Sequence, residues 1–468
     1  MRAANRWYTV QSLLMVLLAA GCSGVLDVHP VNDVDESQAI TTPFGARAAV
    51  AGLYDALQDD SYYGGELLFF GDLSSDDVEH TGTFTTYRQI DRNDLTADNG
   101  SIEAFWDALY TTIGRTNIVI EKVPGVVGLD PAERDVMLGE AHFIRALTYH
   151  NLVKFWGDTA AAGLGVPIVL IPPVDIPSTG LVTRQTTGQV YTQILADLTD
   201  AETLLAGSSN DAHHATVMAV HALRARVFLY QKNWAGAETE ARVVAAGGFS
   251  LDSTYSHLFT ADGSDTPEDI FRLKFDAVDF CWEGYYYLSD LAQGPHEISP
   301  SLNLALAYDS LYDGADPTTY NPTDVRGQRN ITFADTTDAA TMYGAKWRTG
   351  IGAEDIHVFR LAEILLILAE AQARQNNLTG ADSTLTLIRT RAGLPGAGLG
   401  AMTQANAINA ILNERRLELA MEGDRWPDLV RTGLVQTFLP GVPAFQTRYP
   451  IPLNELDVAP GLVQNPGY

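Results

Sequence analysis

Apolar positions recur at three- and four-residue intervals over most of this chain, the spacing of an amphipathic helix with one buried face. The pattern predicts helices over roughly 43–58, 101–122, 131–156, 188–206, 213–231, 234–246, 358–375, 378–391 and 404–421. Strand-like runs are few and short, at 166–170 and 270–275. Two long regions, about 59–100 and 250–357, lack helical periodicity and are rich in Gly, Asp, Thr and aromatic residues. Loops of that length within a compact protein usually carry function.

Some predicted helices pair as weak repeats. Ala225 and Ala237 lie twelve apart, flanked by Phe228 and Ala241, and Ala369 and Ala381 repeat the offset, followed by Leu385. Asn233-Trp234 and Asn377-Leu378 fall in the turns between them. A small residue on each of two antiparallel helices at this spacing is the close-contact pair of a tetratricopeptide-like hairpin. The period is not continuous, so insertions must separate the repeats. The expected fold is mainly α: a tetratricopeptide-like helical-hairpin scaffold, an α-α superhelix, with long irregular loop regions and a few short strands.

The 468 residues, 46% of them apolar, are ample for a large core. A formal charge of −28 repels polyanions and excludes nucleic acid as a partner. At the N-terminus, Arg2 and Arg6 precede an apolar run over 13–20 that ends in Gly21-Cys22. That run is much shorter than the ~20 residues of a membrane span, so it reads as a secretory signal. Small residues before the cysteine resemble a bacterial lipobox, with Ala19 where leucine is usual. The expectation is a lipoprotein signal peptide at 1–21 and a lipidated tether at 22–42, anchored through Cys22. The competing reading is an ordinary signal peptide that contains a cysteine. Cys281 is the only other cysteine. With Cys22 acylated no disulfide forms within the mature chain, and Cys281, between Phe280 and Trp282, reads as a buried apolar residue.

Residues 411–433 carry the most specific pattern. Leu412, Leu417, Leu419 and Ala420 form an apolar face, and Glu414, Arg415, Arg416 and Glu418 place charges at i,i+3 and i,i+4 spacing. Gly423 stands where a left-handed C-cap is needed, and Pro427 suits the first turn of a second short helix. This run resembles the C-terminal signature of the SusD/RagB-like family. Further blocks resemble the same family in the same order: 139–149 leading into 152–158, then 360–366 with 369–371, then Tyr449-Pro450-Ile451-Pro452 and 464–468. Pro427 departs from the family, which commonly has an aromatic there. The resemblance implies an outer-membrane lipoprotein, facing the cell exterior, that captures a nutrient for a SusC-like TonB-dependent transporter. It also implies one helical body over 43–468, with the two long regions as insertions. The family's ligand arc is built from variable loops without a motif, so no ligand-contacting residue carries over.

Read as chemistry, Glu414 and Glu418 on one helix beside arginines are an ion network and not an acid/base pair, which needs two carboxylates facing each other across a cleft. The ten histidines show no metal-ligand spacing, and His213-His214 point apart on a helix. Ser74-Ser75-Asp76-Asp77 and Asp262-Gly263-Ser264-Asp265 do not fit a calcium-loop pattern and read as solvated acidic loops. No phosphate loop, serine elbow or dinucleotide fingerprint is present, so no cofactor is expected.

The aromatic clusters of the long regions carry a different expectation. Phe280, Trp282, Tyr285, Tyr286 and Tyr287, with Phe84, Tyr87 and Arg88, sit in polar surroundings that also hold Glu283 and Asn303. Sugar rings stack on aromatic faces while their hydroxyls take amide, carboxylate or guanidinium partners. Trp282, Tyr285, Tyr286, Tyr287, Phe84, Tyr87 and Arg88 are therefore candidate ligand contacts, with Tyr62 and Tyr63 as further candidates. The competing reading is that these rings plug the core. Non-enzymatic capture of an oligosaccharide or other small nutrient follows. A lipid-anchored tetratricopeptide scaffold binding proteins or peptides, and a surface glycosidase, remain the alternatives.

Overall fold

The computed structural model describes residues 40–173, 182–209, 211–260, 265–276, 278–288, 296–312, 314, 316–333, 341–348 and 352–468. Cys22, the leader and nearly all of the tether lie outside these residues. Local sequence signals set the helix starts. Helix α1 (Pro43–Leu57) has Pro at its first position and Thr42 as N-cap, whose side chain accepts from Gly45 N. After α2 (Glu66–Leu73), β1 (Val78–His80) and α3 (Thr85–Asp91) come two long helices, α4 (Gly100–Lys122) and α5 (Pro131–Trp156). Asp130 caps α5 by accepting from Ala132 N and Glu133 N, and the helix ends at Gly157. From Gly139 onward nearly every face of α5 is buried, so it runs through the core where helical periodicity fades.

Helix α6 (Thr187–Leu204) opens on a capping box formed by Thr186 and Gln189. Helices α7 (Val217–Tyr230) and α8 (Trp234–Ala245) then form a tight hairpin, as do α12 (Leu361–Arg374) and α13 (Leu378–Arg391) further along. The two turns are built alike. Lys232 and Asn376 take positive φ, and Asn233 and Asn377 cap the following helix by accepting from Gly236 N and Gly380 N. Helix α8 packs on α12, joining the hairpins into a tetratricopeptide-like array. Ala225, Ala237, Ala369 and Ala381 are all fully buried, as the twelve-residue offset predicts.

Between the hairpins lie β2 (Asp269–Leu273), α9 (Glu283–Tyr287), β3 (Ile298–Pro300), α10 (Leu302–Tyr308), α11 (Val325–Asn330), β4 (Ile331–Phe333), β5 (Met342–Gly344) and β6 (Ile356–Arg360). The strands form three antiparallel pairs, β1 with β3, β2 with β6 and β4 with β5. Helices α14 (Gln404–Glu418), α15 (Arg425–Thr432), α16 (Val435–Phe438) and α17 (Leu453–Val458) complete the chain. Pro427 sits in the first turn of α15. The terminal block folds back onto the end of α5: Trp156 Nε1 donates to Pro450 O at 2.9 Å, and Asn465 Nδ2 donates to Trp156 O and Tyr449 O.

Four expectations are corrected. The regions 59–100 and 250–357 contain short helices, because α2 buries seven of its eight residues and so carries no amphipathic signal. Residues 166–170 form no strand; Tyr149 Oη accepts from Val169 N and donates to Val169 O, and Gln185 Oε1 accepts from Ile168 N, so side chains replace a ladder. His213 and His214 precede α7 instead of lying on it, and His214 Nδ1 is 2.9 Å from Asp211 Oδ2. Asp76 and Asp77 are not solvated: both are buried, Asp76 paired with Arg425 and Asp77 with Arg416 at 2.7 and 2.5 Å. The second acidic patch, at 262–265, falls outside the described residues except for Asp265.

The glutamates of α14 form a buried network. Glu418 accepts from Arg326, Arg360 and Arg391 at 3.1, 2.6 and 2.5 Å. Glu414 pairs with Arg326 and Arg389, both at 2.6 Å. Burial pushes the Glu418 carboxyl up, but Arg391, Arg360 and Arg326 reverse this and hold it well below the ordinary range. Replacing Glu418 by Gln leaves three buried guanidiniums short of charge, an imbalance that costs on the order of 3–5 kcal/mol. Denaturant unfolding of Glu418→Gln at neutral pH measures it, and a loss under 1 kcal/mol excludes the network as a principal support. Because the Glu418 carboxyl is depressed, its contribution is complete above the ordinary glutamate range and is lost only as pH falls through its lower folded value.

Candidate functional site

The two aromatic segments, about 200 residues apart in sequence, meet in the structure. The pairing of β1 with β3 brings His80 opposite Ile298, and with it the 81–84 turn onto Glu297. Thr81 N and Gly82 N donate to Glu297 O at 2.9 and 3.3 Å. The Glu297 carboxylate accepts from Thr83 N, Phe84 N and Thr83 Oγ1 at 2.9, 3.2 and 3.2 Å, and His80 Nε2 lies 3.1 Å away. A Cβ at residue 82 would sit 2.1 Å from that carboxylate, so glycine is required for the turn to close on it. One buried carboxylate thus fixes where Phe84 points.

On the other side, Cys281 N donates to Gly352 O at 2.9 Å and Trp282 N to Gly64 O at 2.8 Å, pinning the start of α9 between two turns. One helical turn then places Trp282 and Tyr286 side by side, stacked at 5.4 Å with an interplanar angle of 17°. Tyr285 meets Trp282 at 5.3 Å, and Phe280 meets it at 4.8 Å. Phe84 bridges the segments, edge-on to Tyr286 at 5.9 Å and to Tyr87 at 5.4 Å. Phe84 is 41% exposed. Trp282, Tyr285 and Tyr286 are half-buried, and each presents part of its ring to solvent. Burial, then the nearby Glu297, raises the Tyr286 phenol to about 12, so it stays a neutral donor.

Not every candidate lies on this face. Tyr287 is fully buried and donates to Asp72 Oδ2, and Tyr87 is 5% exposed, packed on Phe69 and Phe70. Both plug the core beneath the platform. Tyr62 and Tyr63 are also buried, accepting from Asn151 Nδ2, and are not surface rings. Arg88 is half-buried at the rim and forms no ion pair among the described residues. Asn303 is exposed on α10. Cys281 is buried, and burial raises its thiol well above the ordinary value, which removes it as a nucleophile.

Sequence reasoning did not find Glu297, Gly82 or Phe69. Glu297 and Gly82 act through a strand pairing of distant segments that no local pattern announces. Sequence spacing also did not suggest the group His142, Asp197 and Asp200. There Arg145 already donates to both Asp197 oxygens at 3.0 and 2.5 Å, and a guanidinium supplies the positive charge.

Glu283, the first residue of α9, is fully buried beside Trp282, and burial pushes its carboxyl up to about 8 from the ordinary 4.5. Between those values the folded chain holds a proton that the unfolded chain releases, so wild-type stability falls as pH rises through this window. Glu283→Gln removes that decline. Its melting temperature is expected to exceed the wild type's at about pH 9 and to converge with it below the ordinary glutamate range. Parallel thermal curves at all pH values contradict the assignment.

A family model described as "SusD family" matches residues 301–441, and a second, described as "Starch-binding associating with outer membrane", matches residues 26–229. The SusD-like protein P38 of Formosa agariphila is 25% identical, with 99% of this chain and 100% of the relative aligned. The SusD-like protein P2 of the same organism is also 25% identical, over 91% of each chain. Among solved structures, a putative sugar binding protein from Bacteroides vulgatus superimposes with a TM-score of 0.78 at 25% identity, over 92% of this chain and 100% of that one. A laminarin-binding SusD-like protein superimposes with a TM-score of 0.76 at 23% identity, over the same shares. The two family matches flank the aromatic segment of α9 from both sides, and the relatives run the length of the fold: this chain belongs to the SusD/RagB-like family.

Proposed function

We propose that this protein captures an oligosaccharide at the outer face of the outer membrane, without chemical turnover, and hands it to a SusC-like TonB-dependent transporter. In this reading residues 43–468 act as one body tethered through lipidated Cys22. The observation that carries it is the joining of Phe84, Trp282, Tyr285 and Tyr286 into one partly exposed aromatic face, with Arg88, in no ion pair among the described residues, on the helix that follows Phe84. Such a face offers rings to the C–H surfaces of a sugar, and the phenols and guanidinium offer donors to its hydroxyls. The SusD-like relatives, together with the laminarin-binding SusD-like protein that shares the fold, support a saccharide over a peptide. Glu414 and Glu418 are locked in ion pairs, which argues against their use as a glycosidase pair.

Titration against a panel of neutral and acidic oligosaccharides and peptides, with product formation followed in parallel, tests the reading. Trp282→Ala is expected to weaken saccharide binding by roughly 1–3 kcal/mol, the range of stacking on aromatic platforms. The partly exposed Tyr285→Ala is expected to do the same with little change in melting temperature. A destabilised protein with normal affinity, or turnover of the bound sugar, overturns the proposal. For the anchor, Cys22→Ser is expected to move the protein from the membrane to the soluble fraction. Unchanged fractionation, or a mature N-terminus elsewhere, removes that part.

A further inference from the structure

Acidic residues outnumber basic ones 58 to 30 in this chain, and its buried guanidiniums are characteristically closed by carboxylates. Two further arginines, the half-buried Arg329 and the exposed Arg348, are not closed in this way. They line a pocket of about 400 Å³ together with Arg391, Ser253, Thr254 and Ser256. Neither forms an ion pair among the described residues. Arg329, on α11, is held by backbone carbonyls: its Nη2 donates to Phe259 O and Lys346 O at 2.5 and 3.1 Å. Arg348 is exposed, and its Nε donates to Ala345 O at 3.1 Å.

The third arginine is anchored from behind. Arg391 commits its two terminal nitrogens to Glu268 and Glu418 at 2.7 and 2.5 Å. The Nε atoms of Arg329 and Arg391 are buried without a hydrogen-bond partner among the described residues. The Glu354 charge acts on Arg329 in the opposite sense to Arg348, and its Oε1 accepts from Arg348 N at 2.5 Å. Burial, and then the repulsion of Arg348, lowers the Arg329 guanidinium to about 10. Two like charges are therefore held together by neutral acceptors, beside unsatisfied donors and three hydroxyls. Planar guanidiniums match an oxyanion in paired hydrogen bonds, and an anion placed here also relieves the repulsion.

We propose that this pocket is a subsite for an oxyanion group, a carboxylate or a sulfate ester, on an acidic oligosaccharide. The saccharide rests on the capture function proposed above; the oxyanion site does not. The overall charge opposes long-range attraction of polyanions, so recognition here is short-ranged and local.

Calorimetric titration of the full-length protein with sodium sulfate, an oligogalacturonide, a sulfated galactan oligosaccharide and a neutral oligosaccharide tests it. At least one acidic saccharide is expected to bind, more weakly as salt rises, and which one binds distinguishes carboxylate from sulfate ester. Arg348→Gln, at an exposed position, is expected to weaken that binding about tenfold or more and to leave neutral-sugar binding unchanged. Arg329→Gln is expected to act in the same direction, and its melting temperature shows whether the lost carbonyl contacts unfold it. Acidic-saccharide binding that is unchanged in Arg348→Gln overturns the subsite, as does the absence of any binding by sulfate and both acidic saccharides. Sulfate binding that is lost in Arg348→Gln while no saccharide binds supports the oxyanion site and overturns the capture function. Neutral-sugar binding lost only in Trp282→Ala, with acidic and neutral sugars bound alike, leaves the capture function standing and overturns the subsite.

Discussion

The structure depends on charges buried in opposed pairs. Removing ions from water is so costly that a buried pair persists only when every member is matched. Here Glu418 faces three guanidiniums, Glu422 faces Arg360 and Lys346, and Asp428 faces Arg415 and Arg431. The partners of Glu418 and Glu422 come from α11, β6, α13 and the turn after β5, and Asp428 draws Arg415 from α14 besides Arg431 from its own helix. Glu418 and Glu422 find no partner within their own segment, so the elements that meet at them are stable only when assembled. Such a network stabilises less than an equal volume of apolar packing would, but it penalises misassembly steeply.

Buried carboxyls also position the aromatic face. The turn after α14 carries Gly423 at φ +78°, where its carbonyl comes so close to Gly71 that a Cβ there would sit 2.0 Å away. Asp72 Oδ2 accepts from Gly423 N at 3.1 Å and from Tyr287 Oη at 3.4 Å. One buried carboxylate therefore connects the C-terminal signature to the helix that carries Trp282, Tyr285 and Tyr286. Asp76 and Asp77, just before β1, are held by Arg416 and Arg425, and β1 leads into the turn that aims Phe84. Rings that would be mobile in an isolated loop are tied to the core, α9 by the Tyr287–Asp72 hydrogen bond and the Phe84 turn by the strand that follows the Asp76 and Asp77 ion pairs. That rigidity lowers the conformational cost of binding, because the platform exists before its ligand arrives.

How much of this the sequence showed depended on how local the cause was. Helix α5 was legible to its ends because Asp130-Pro131 and Gly157 act on their immediate neighbours. The hairpin alanines were legible because close helix contact needs small residues at fixed spacing. Helix α2 was not, since a helix buried all round has no polar face to mark its period. Asp76 and Asp77 read as solvated because Arg416, which buries Asp77, lies 339 residues away. The site shows the same division. Composition singled out the aromatic segments, but nothing local separates Tyr287, a core plug, from its neighbour Tyr286 on the face. That difference is set by which side of a five-residue helix meets Asp72.

A chain this acidic makes each unpaired cation informative. A guanidinium held by backbone carbonyls has its direction fixed whether or not a carboxylate is near. Arg329 is held so by Phe259 O and Lys346 O, at some electrostatic cost from Arg348. The aromatic face has the opposite character: its rings offer contact area without charge. A platform of that kind supplies affinity with little discrimination, whereas paired guanidiniums discriminate sharply, because a neutral group placed against them leaves their donors unsatisfied. The two features are physically complementary, one broad and apolar, the other narrow and charged. Both rest on backbone fixed from within the core, the first through the hydrogen-bonded Asp72 and the Asp76–Arg425 pair, the second through the Arg391–Glu418 pair.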